Sequence, residues 1–348
     1  MKDFKYLLAY LLPASTALGL AFQGPRSWST VVFSFAIIPL LELALPQSAA
    51  NIPPAEAENR SKRRFFDILL YLNLPLLFAL VGWYLYAVQF QHLTGAEIAG
   101  LTLSTGILVG AVGINVAHEL GHRVKPYEQL MSKWMLLTAL YQHFFIEHNR
   151  GHHKHVATDL DPASARLGEP VFTFWIRSIG GGWRNAWRLE RERLQKAGLP
   201  FWSRHNEMLR FQLWQLLWLA GIGLLLGVKA LLGAIAIALI GILLLETINY
   251  IEHYGLRRRI LPSGRPEPVT PAHSWNSDHE LGRIFLYELT RHSDHHYKAS
   301  RKYQILRHLD ESPQLPLGYP ASVLLALAPP AWFRVMDGRV KKVGMGEV

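Results

Sequence analysis

The sequence predicts an all-α integral membrane protein, with six transmembrane helices and a helical, histidine-rich cap on the cytoplasmic side. Three observations predict it. Hydrophobic residues make up 50% of the 348 residues, and the mean hydropathy is positive at +0.11. Apolar runs of about 18–24 residues, the length that crosses a bilayer, recur six times. Lysine and arginine crowd into alternate connecting segments, as cytoplasmic loops require.

The runs fall at 6–22, 28–45, 65–90, 96–117, 209–227 and 230–251. The first is followed at once by a second span and lacks a small-residue cleavage pattern, so it reads as a helix that stays in the membrane and not as a signal peptide. The proline-rich IPPAEAENR (52–60) reads as the loop between spans two and three. Positive charge crowds NRSKRR (59–64), the polar region 123–204 and LRRRILPSGR (256–265), whereas the opposite loops carry little more than Arg26 and Lys229. The charged segments are therefore expected in the cytoplasm, and an even number of spans returns both termini there. The cap is expected from residues 123–208 and 255–348, in one membrane domain over 1–348. The apolar stretch 315–336 is broken by prolines, which predicts a membrane-surface or packing segment instead of a seventh span.

The formal net charge of +10 fits a face apposed to anionic headgroups without invoking nucleic acid. FTFWIRSIGGGWRNAWRLERER (172–193) has the basic and aromatic interleaving of an interfacial amphipathic helix against membrane lipids. The chain has no cysteine. That excludes thiolate-ligated haem, cysteine-ligated iron–sulfur clusters and disulfides together, leaving nitrogen and oxygen ligands for any metal.

Histidines supply the chemistry. HELGH continues the fourth span and puts His118 and His122 on one helix face. The same arithmetic applies to His148 and His152 in EHNRGHH, with His153 adjacent, and to His292 and His296 in RHSDHH, with His295 between them. His253 in NYIEHYG stands where span six leaves the membrane. Nine imidazoles exceed the four to six ligands of one first-row metal, which points to two metals. HELGH alone also matches zinc peptidases, where the intervening glutamate is a general base. A mononuclear zinc site needs three protein ligands and would leave six clustered histidines without a role. His92, His143, His155, His205 and His308 read as surface or packing residues. His273 and His279 in HSWNSDH read either as hydrogen-bond donors beside the site or as parts of a structural turn.

Glu119, Glu147, Glu252 and Asp294 each adjoin a motif histidine. Neighbours on a helix point about 100° apart, so these acids suit orienting an imidazole through its second nitrogen. Their alternative is ordinary pairing with nearby arginine or lysine. Glu246 and Asn249 share the face of His253, and Asn115 precedes His118 by three residues. Polar groups inside a membrane span are functional candidates, although hydrogen bonding between helices explains the asparagines equally well.

HELGHR, EHNRGHHKHVATDLDPASAR, NYIEHYGLRR and LTRHSDHHYKASRKYQILRH resemble, in order and flanking residues, the histidine boxes of the integral-membrane alkane 1-monooxygenases. That family lies within the larger group of membrane di-iron hydroxylases and desaturases. The likeness extends to HSWNSDH and to the tail QLPLGYPASVLLALAPPAWFRVMD, with NYIEHYG its most specific element. It departs at Arg123, where lysine often stands, and at Thr290, where glutamine is frequent. The resemblance implies a bacterial cytoplasmic-membrane enzyme that hydroxylates the terminal methyl of alkanes with two Fe ions and O₂ as co-substrate. Electrons would come from a separate rubredoxin and rubredoxin reductase. The implied ligands are His118, His122, His148, His152, His153, His253, His292, His295 and His296. Aromatic methyl groups, as in a xylene, and fatty acyl chains are the alternative substrates.

An alkane offers no polar handle, so its binding rests on burying methylenes at about 0.8 kcal/mol each, and the bilayer supplies it already concentrated. Zinc has no redox chemistry with which to attack a C–H bond. On this reading Gly110, Ala111 and Ile114, on the face of span four above His118, line the substrate cavity.

Overall fold

The computed structural model describes residues 2–344. Among these there is no β-strand, only isolated bridges. Six helices are long and apolar enough to cross a membrane: α1 (Asp3–Phe22), α2 (Gly24–Ala44), α3 (Arg64–Phe90), α4 (Gly95–Gly121), α8 (Glu207–Leu225) and α9 (Val228–His253). Between them lie α5 (Pro126–Thr138), α6 (144–155) and α7 (Val171–Lys196), and after them α10 (His292–Tyr297), α11 (Tyr319–Ala326) and α12 (Pro329–Lys342). The six apolar runs thus all form helices. α4 and α9 run past the ends of their apolar runs, because helical hydrogen bonding continues where hydropathy stops, and this carries His118 and His253 on the same rods as the spans.

Local chemistry sets the boundaries. α4 opens with a capping box in which the Glu97 N–H donates to Thr94 Oγ1 and the Thr94 N–H donates to the Glu97 carboxylate. Pro126 occupies the first turn of α5, where its missing N–H costs nothing. Asn206 caps α8 by accepting from the Leu209 N–H. Gly227 turns the chain from α8 into α9 at φ +113°, a conformation that a side chain would strain.

The chain divides into two compact units. The first comprises residues 1–36, 65–150 and 183–245. α4 is its central rod, with 72% of its apolar window buried against 17% for α8. Small residues let neighbours approach α4 closely: Gly100 faces Trp28, Gly106 faces Ile240, Gly110 faces Gly241 and Leu244, and Gly113 faces Leu77. α8 instead exposes Leu216, Leu217, Leu224 and Leu225, a stripe suited to lipid and not to water. Below the spans, Arg123 is buried between Glu119 (2.7 Å) and Asp67 (3.2 Å).

The second unit comprises residues 37–64, 151–182 and 246–348. Its core is aromatic, with Trp275, Trp332, Tyr250 and Tyr254 fully buried. Trp275 Nε1–H donates to the Tyr254 carbonyl, the Tyr254 hydroxyl donates to Asp337 and the Tyr250 hydroxyl donates to the Glu169 carbonyl, so three of these four polar tips are satisfied and only Trp332 Nε1 is left without a partner among the described residues. Arg291 is buried and donates to the carbonyls of Ala50 and Leu306. The apolar stretch 315–336 forms α11 and the start of α12, broken before Pro329. Neither helix is long enough to span a bilayer.

Candidate metal centre

In the first unit α4 delivers His118 and His122, and the start of α6 delivers His148. The Nε2 atoms of His118 and His122 lie 3.3 Å apart, and those of His122 and His148 lie 3.1 Å apart. A π turn over Val109–Ile114 precedes the first pair, and such wide turns rotate the residues that follow them relative to the rest of the rod. The last turn is pinned by Ser132 Oγ, which donates to the Ala117 carbonyl at 2.6 Å. Phe144 stacks on the His148 ring at 4.7 Å.

In the second unit His152, His253, His292 and His296 converge, all of them buried. The Nε2 separations are 3.2 Å for His152 and His296, 2.9 Å for His296 and His292, and 3.2 Å for His292 and His253. One ring nitrogen of each lies within 4.8 Å of the others. His153 and His295 form a neighbouring pair with Nε2 atoms 3.1 Å apart. His148 and His152, expected on one face, meet different partners, because the helix widens into a π turn over His148–His152.

This donor set fits a metal. Two nitrogens about 2.1 Å from one ion and at right angles around it stand about 3.0 Å apart, close to the three separations in the second unit. Neutral imidazoles can satisfy one another only in pairs, one Nε2–H donating to one Nε2 lone pair, whereas a single cation accepts the lone pairs of all four converging rings. His296 is held neutral: burial, and then the surrounding rings, push its pKa well below the ordinary value. Metal binding requires that state.

Asp161, which motif spacing did not single out, fixes the tautomer of His152. Its carboxylate lies 2.9 Å from His152 Nδ1 and accepts from Ser164 Oγ at 2.6 Å and from the Ala163 N–H. Burial alone would raise the Asp161 pKa, but His152 and Ser164 outweigh it and hold the carboxyl below its usual range. The only textual signal was a carboxylate in the turn after the second box, which carries no periodicity.

The other acids are placed as follows. Glu119 is engaged by Arg123 at 2.7 Å, a poor arrangement for a general base. Glu147 accepts from Asn185 Nδ2 at 2.9 Å. Asp294 accepts from the Arg307 side chain and N–H, both at 2.9 Å, and pairs with Arg301 at 3.2 Å. Glu246 accepts from Ser178 Oγ at 2.6 Å and from Asn249 Nδ2 at 3.3 Å. Glu252 accepts from the Tyr319 hydroxyl at 2.9 Å, with its other oxygen 3.2 Å from His292 Nε2. Asn115, Ala111 and Ile114 are buried.

HSWNSDH clamps two ligand segments. The Trp275 N–H donates to the Glu252 carbonyl at 2.8 Å, Asn276 Nδ2 donates to Ser293 Oγ at 2.7 Å, and the Ser293 N–H donates to Asn276 Oδ1 at 2.9 Å. His273 Nδ1 accepts from the Thr270 N–H, and His279 Nδ1 lies 2.9 Å from Ser277 Oγ. Both histidines serve turns. His308 pairs with Asp278 at 2.7 Å, and His143 is buried.

Fold and site together define a multi-pass helical membrane protein with a histidine-rich metal centre. The fatty acid desaturase family model matches residues 93–323. The chain is 37% identical to alkane 1-monooxygenase 1 of Alcanivorax borkumensis, over all of this chain and 87% of the relative. It is 40% identical to alkane 1-monooxygenase 1 of Pseudomonas aeruginosa, over 98% and 90%. It is also 30% identical to the xylene/toluene monooxygenase hydroxylase component of Pseudomonas putida, over 94% and 86%. The chain belongs to the alkane 1-monooxygenase family, within the fatty acid desaturase superfamily.

Proposed function

We propose that the protein is a di-iron alkane 1-monooxygenase that converts the terminal methyl of an alkane to a primary alcohol with O₂, using electrons from rubredoxin and its reductase. The observation that carries this reading is a buried four-imidazole set at metal-ligand spacing, in a chain related to alkane 1-monooxygenases over its whole length.

Bound iron supplies the redox chemistry that O₂ activation and attack on an unactivated C–H bond require. The chain's residues do the rest. Asp161 holds the His152 proton at Nδ1, so Nε2 faces the metal. His296 stays neutral. Ala111 and Ile114, on the rod that ends in His118, form part of an apolar wall that binds the alkyl chain by burying methylenes. The absence of cysteine agrees with an electron carrier on a separate polypeptide, and the basic segments of the cap suit an acidic one. On this reading the metal centre and both termini face the cytoplasm of a bacterium, and the alkane enters from the bilayer.

The xylene/toluene relative supports a second reading, in which the substrate is an aromatic methyl group. Membranes holding the protein, given rubredoxin, reductase, NADH and octane under isotopically heavy O₂, are expected to yield 1-octanol carrying heavy oxygen. Methylbenzyl alcohol from xylene with no octanol from octane would move the substrate to the aromatic class.

A further inference from the structure

Arg150 stands two residues beyond His148, inside the π turn over His148–His152. Residues two apart point to roughly opposite sides of a helix, about 200° in a regular turn. While His148 meets His122 at 3.1 Å between Nε2 atoms, Arg150 meets two buried carboxylates of the same compact unit. Its Nη1 donates to Glu190 on α7 at 3.2 Å, and its Nη2 donates to Glu207, the first residue of α8, at 3.3 Å.

The two acids do not depend on Arg150. Glu190 also accepts from Arg193 Nε and Nη2, at 2.8 and 2.7 Å, and from the Glu207 N–H at 2.7 Å. Glu207 also accepts from Lys133 Nζ on α5 at 2.6 Å and from Arg210 at 3.3 Å. Removing Arg150 therefore strands neither carboxylate, and the usual cost of breaking a buried ion pair does not arise. The fork adds little to the hold of α5, α7 and α8 on one another. What it adds is a tie from α7 and α8 to the π turn.

A π turn is rare, so something outside the local backbone must favour it here. The neighbour of Arg150 supports the same distortion: Asn149 Nδ2 donates to the Phe145 carbonyl, four residues back, at 2.7 Å, a side-chain bond that competes with the regular ladder. Arginine suits the tie because its planar fork reaches two carboxylates at once, where lysine offers a single point charge.

We infer that Arg150 is a positioning residue for His148: by bridging Glu190 and Glu207 it holds the π turn and keeps the His148 ring against His118 and His122. Its consequence for iron rests on the metal-centre reading, and its consequence for the ring does not.

The test compares wild type, Arg150→Met and Arg150→Lys as full-length protein in detergent. Iron-free protein is treated with diethyl pyrocarbonate, which labels accessible imidazoles, and each histidine is read by fragment-resolved mass spectrometry. His148 is 4% exposed and should label slowly in wild type. In Arg150→Met its labelling should rise several-fold, with His118 and His122 unchanged and the iron-free Tm equal to that of wild type. One of the two irons should then be lost to a chelator about 10- to 100-fold more readily, the other as in wild type. Arg150→Lys, which keeps the charge and reaches one carboxylate at a time, should fall between.

His148 labelling and iron release both equal to wild type overturn the inference and leave the metal centre standing. So does a lower Tm with His118, His122 and His148 labelled alike, which would make Arg150 a general brace. If Arg150→Met fails to fold, Arg150→Lys decides by the same labelling. Wild type that takes up no iron overturns the metal-centre reading, and the labelling still decides what places His148.

Discussion

His152 is held from both sides of its ring, and the two contacts separate binding from orientation. Nε2 faces the imidazole set, while Nδ1 faces Asp161 at 2.9 Å. Asp161→Asn keeps the shape but removes the charge that fixes the tautomer. Metal affinity is expected to fall on the order of 10- to 100-fold, measured by chelator competition. Retention equal to wild type would show that Asp161 only braces the turn through Ser164 and Ala163.

His143 makes a prediction about pH. It is buried, and its Nε2 lacks a hydrogen-bond partner among the described residues. Burial lowers its pKa from the ordinary 6.5 to about 4. The unfolded chain therefore binds this proton first as pH falls. The stabilisation from keeping the ring neutral is complete above about 6.5 and is lost toward 4, at up to about 1.4 kcal/mol per pH unit. The Tm of wild type should fall more steeply between pH 7 and 5 than that of His143→Gln, as read by thermal unfolding in detergent. Parallel curves would contradict it.

What was legible at this scale follows from periodicity. His118 with His122, and His292 with His296, sit four apart on regular helix and meet with Nε2 atoms 3.3 and 2.9 Å apart. Asp161 lies in an irregular turn, where distance along the chain says nothing of distance in space. The side-chain reach that brings Glu252 to His292 is equally invisible to helix arithmetic.

α4 shows how one element serves two ends. Its glycines admit neighbouring helices, and its last turn carries two of the metal-ligand candidates. A Cβ on Gly106 would stand 2.5 Å from Ile240, and one on Gly110 would stand 3.1 Å from the Gly241 carbonyl. Gly106→Val is expected to destabilise by about 1–3 kcal/mol through overpacking, seen as a lower Tm. An unchanged Tm would mean that α9 gives way freely. Ala111→Phe tests the wall instead. Its product profile from hexane to hexadecane should shift toward shorter alkanes, and an unshifted profile removes Ala111 from the cavity. Gly110 packs against α9, so bulk there acts first on helix packing.

Hydropathy made the spans legible because a bilayer demands long apolar helices whatever their neighbours. The π turns over Val109–Ile114 and His148–His152 were not legible. An extra residue in a turn is paid for by tertiary packing, and no local residue pattern announces it. The role of HSWNSDH was hidden for a related reason, since its partners Glu252 and Ser293 lie in other segments of the chain.

For the molecule as a whole, composition and chemistry constrain each other. In a chain half hydrophobic and without cysteine, any redox metal would be held through nitrogen and oxygen, and the substrate is expected to share the bilayer's polarity. The positive charges and the helix lengths define a multi-pass membrane protein, while the histidines define what it holds. The central claim is that this metal centre is a pair of irons that oxidise alkanes. It is tested most directly by counting iron and zinc in the purified full-length protein and assaying the same preparation for 1-octanol, with octane, O₂, rubredoxin, reductase and NADH supplied. The account predicts about two irons per chain, little zinc, and 1-octanol in proportion to the iron. One zinc per chain, with little iron after reconstitution and no alcohol, would contradict it.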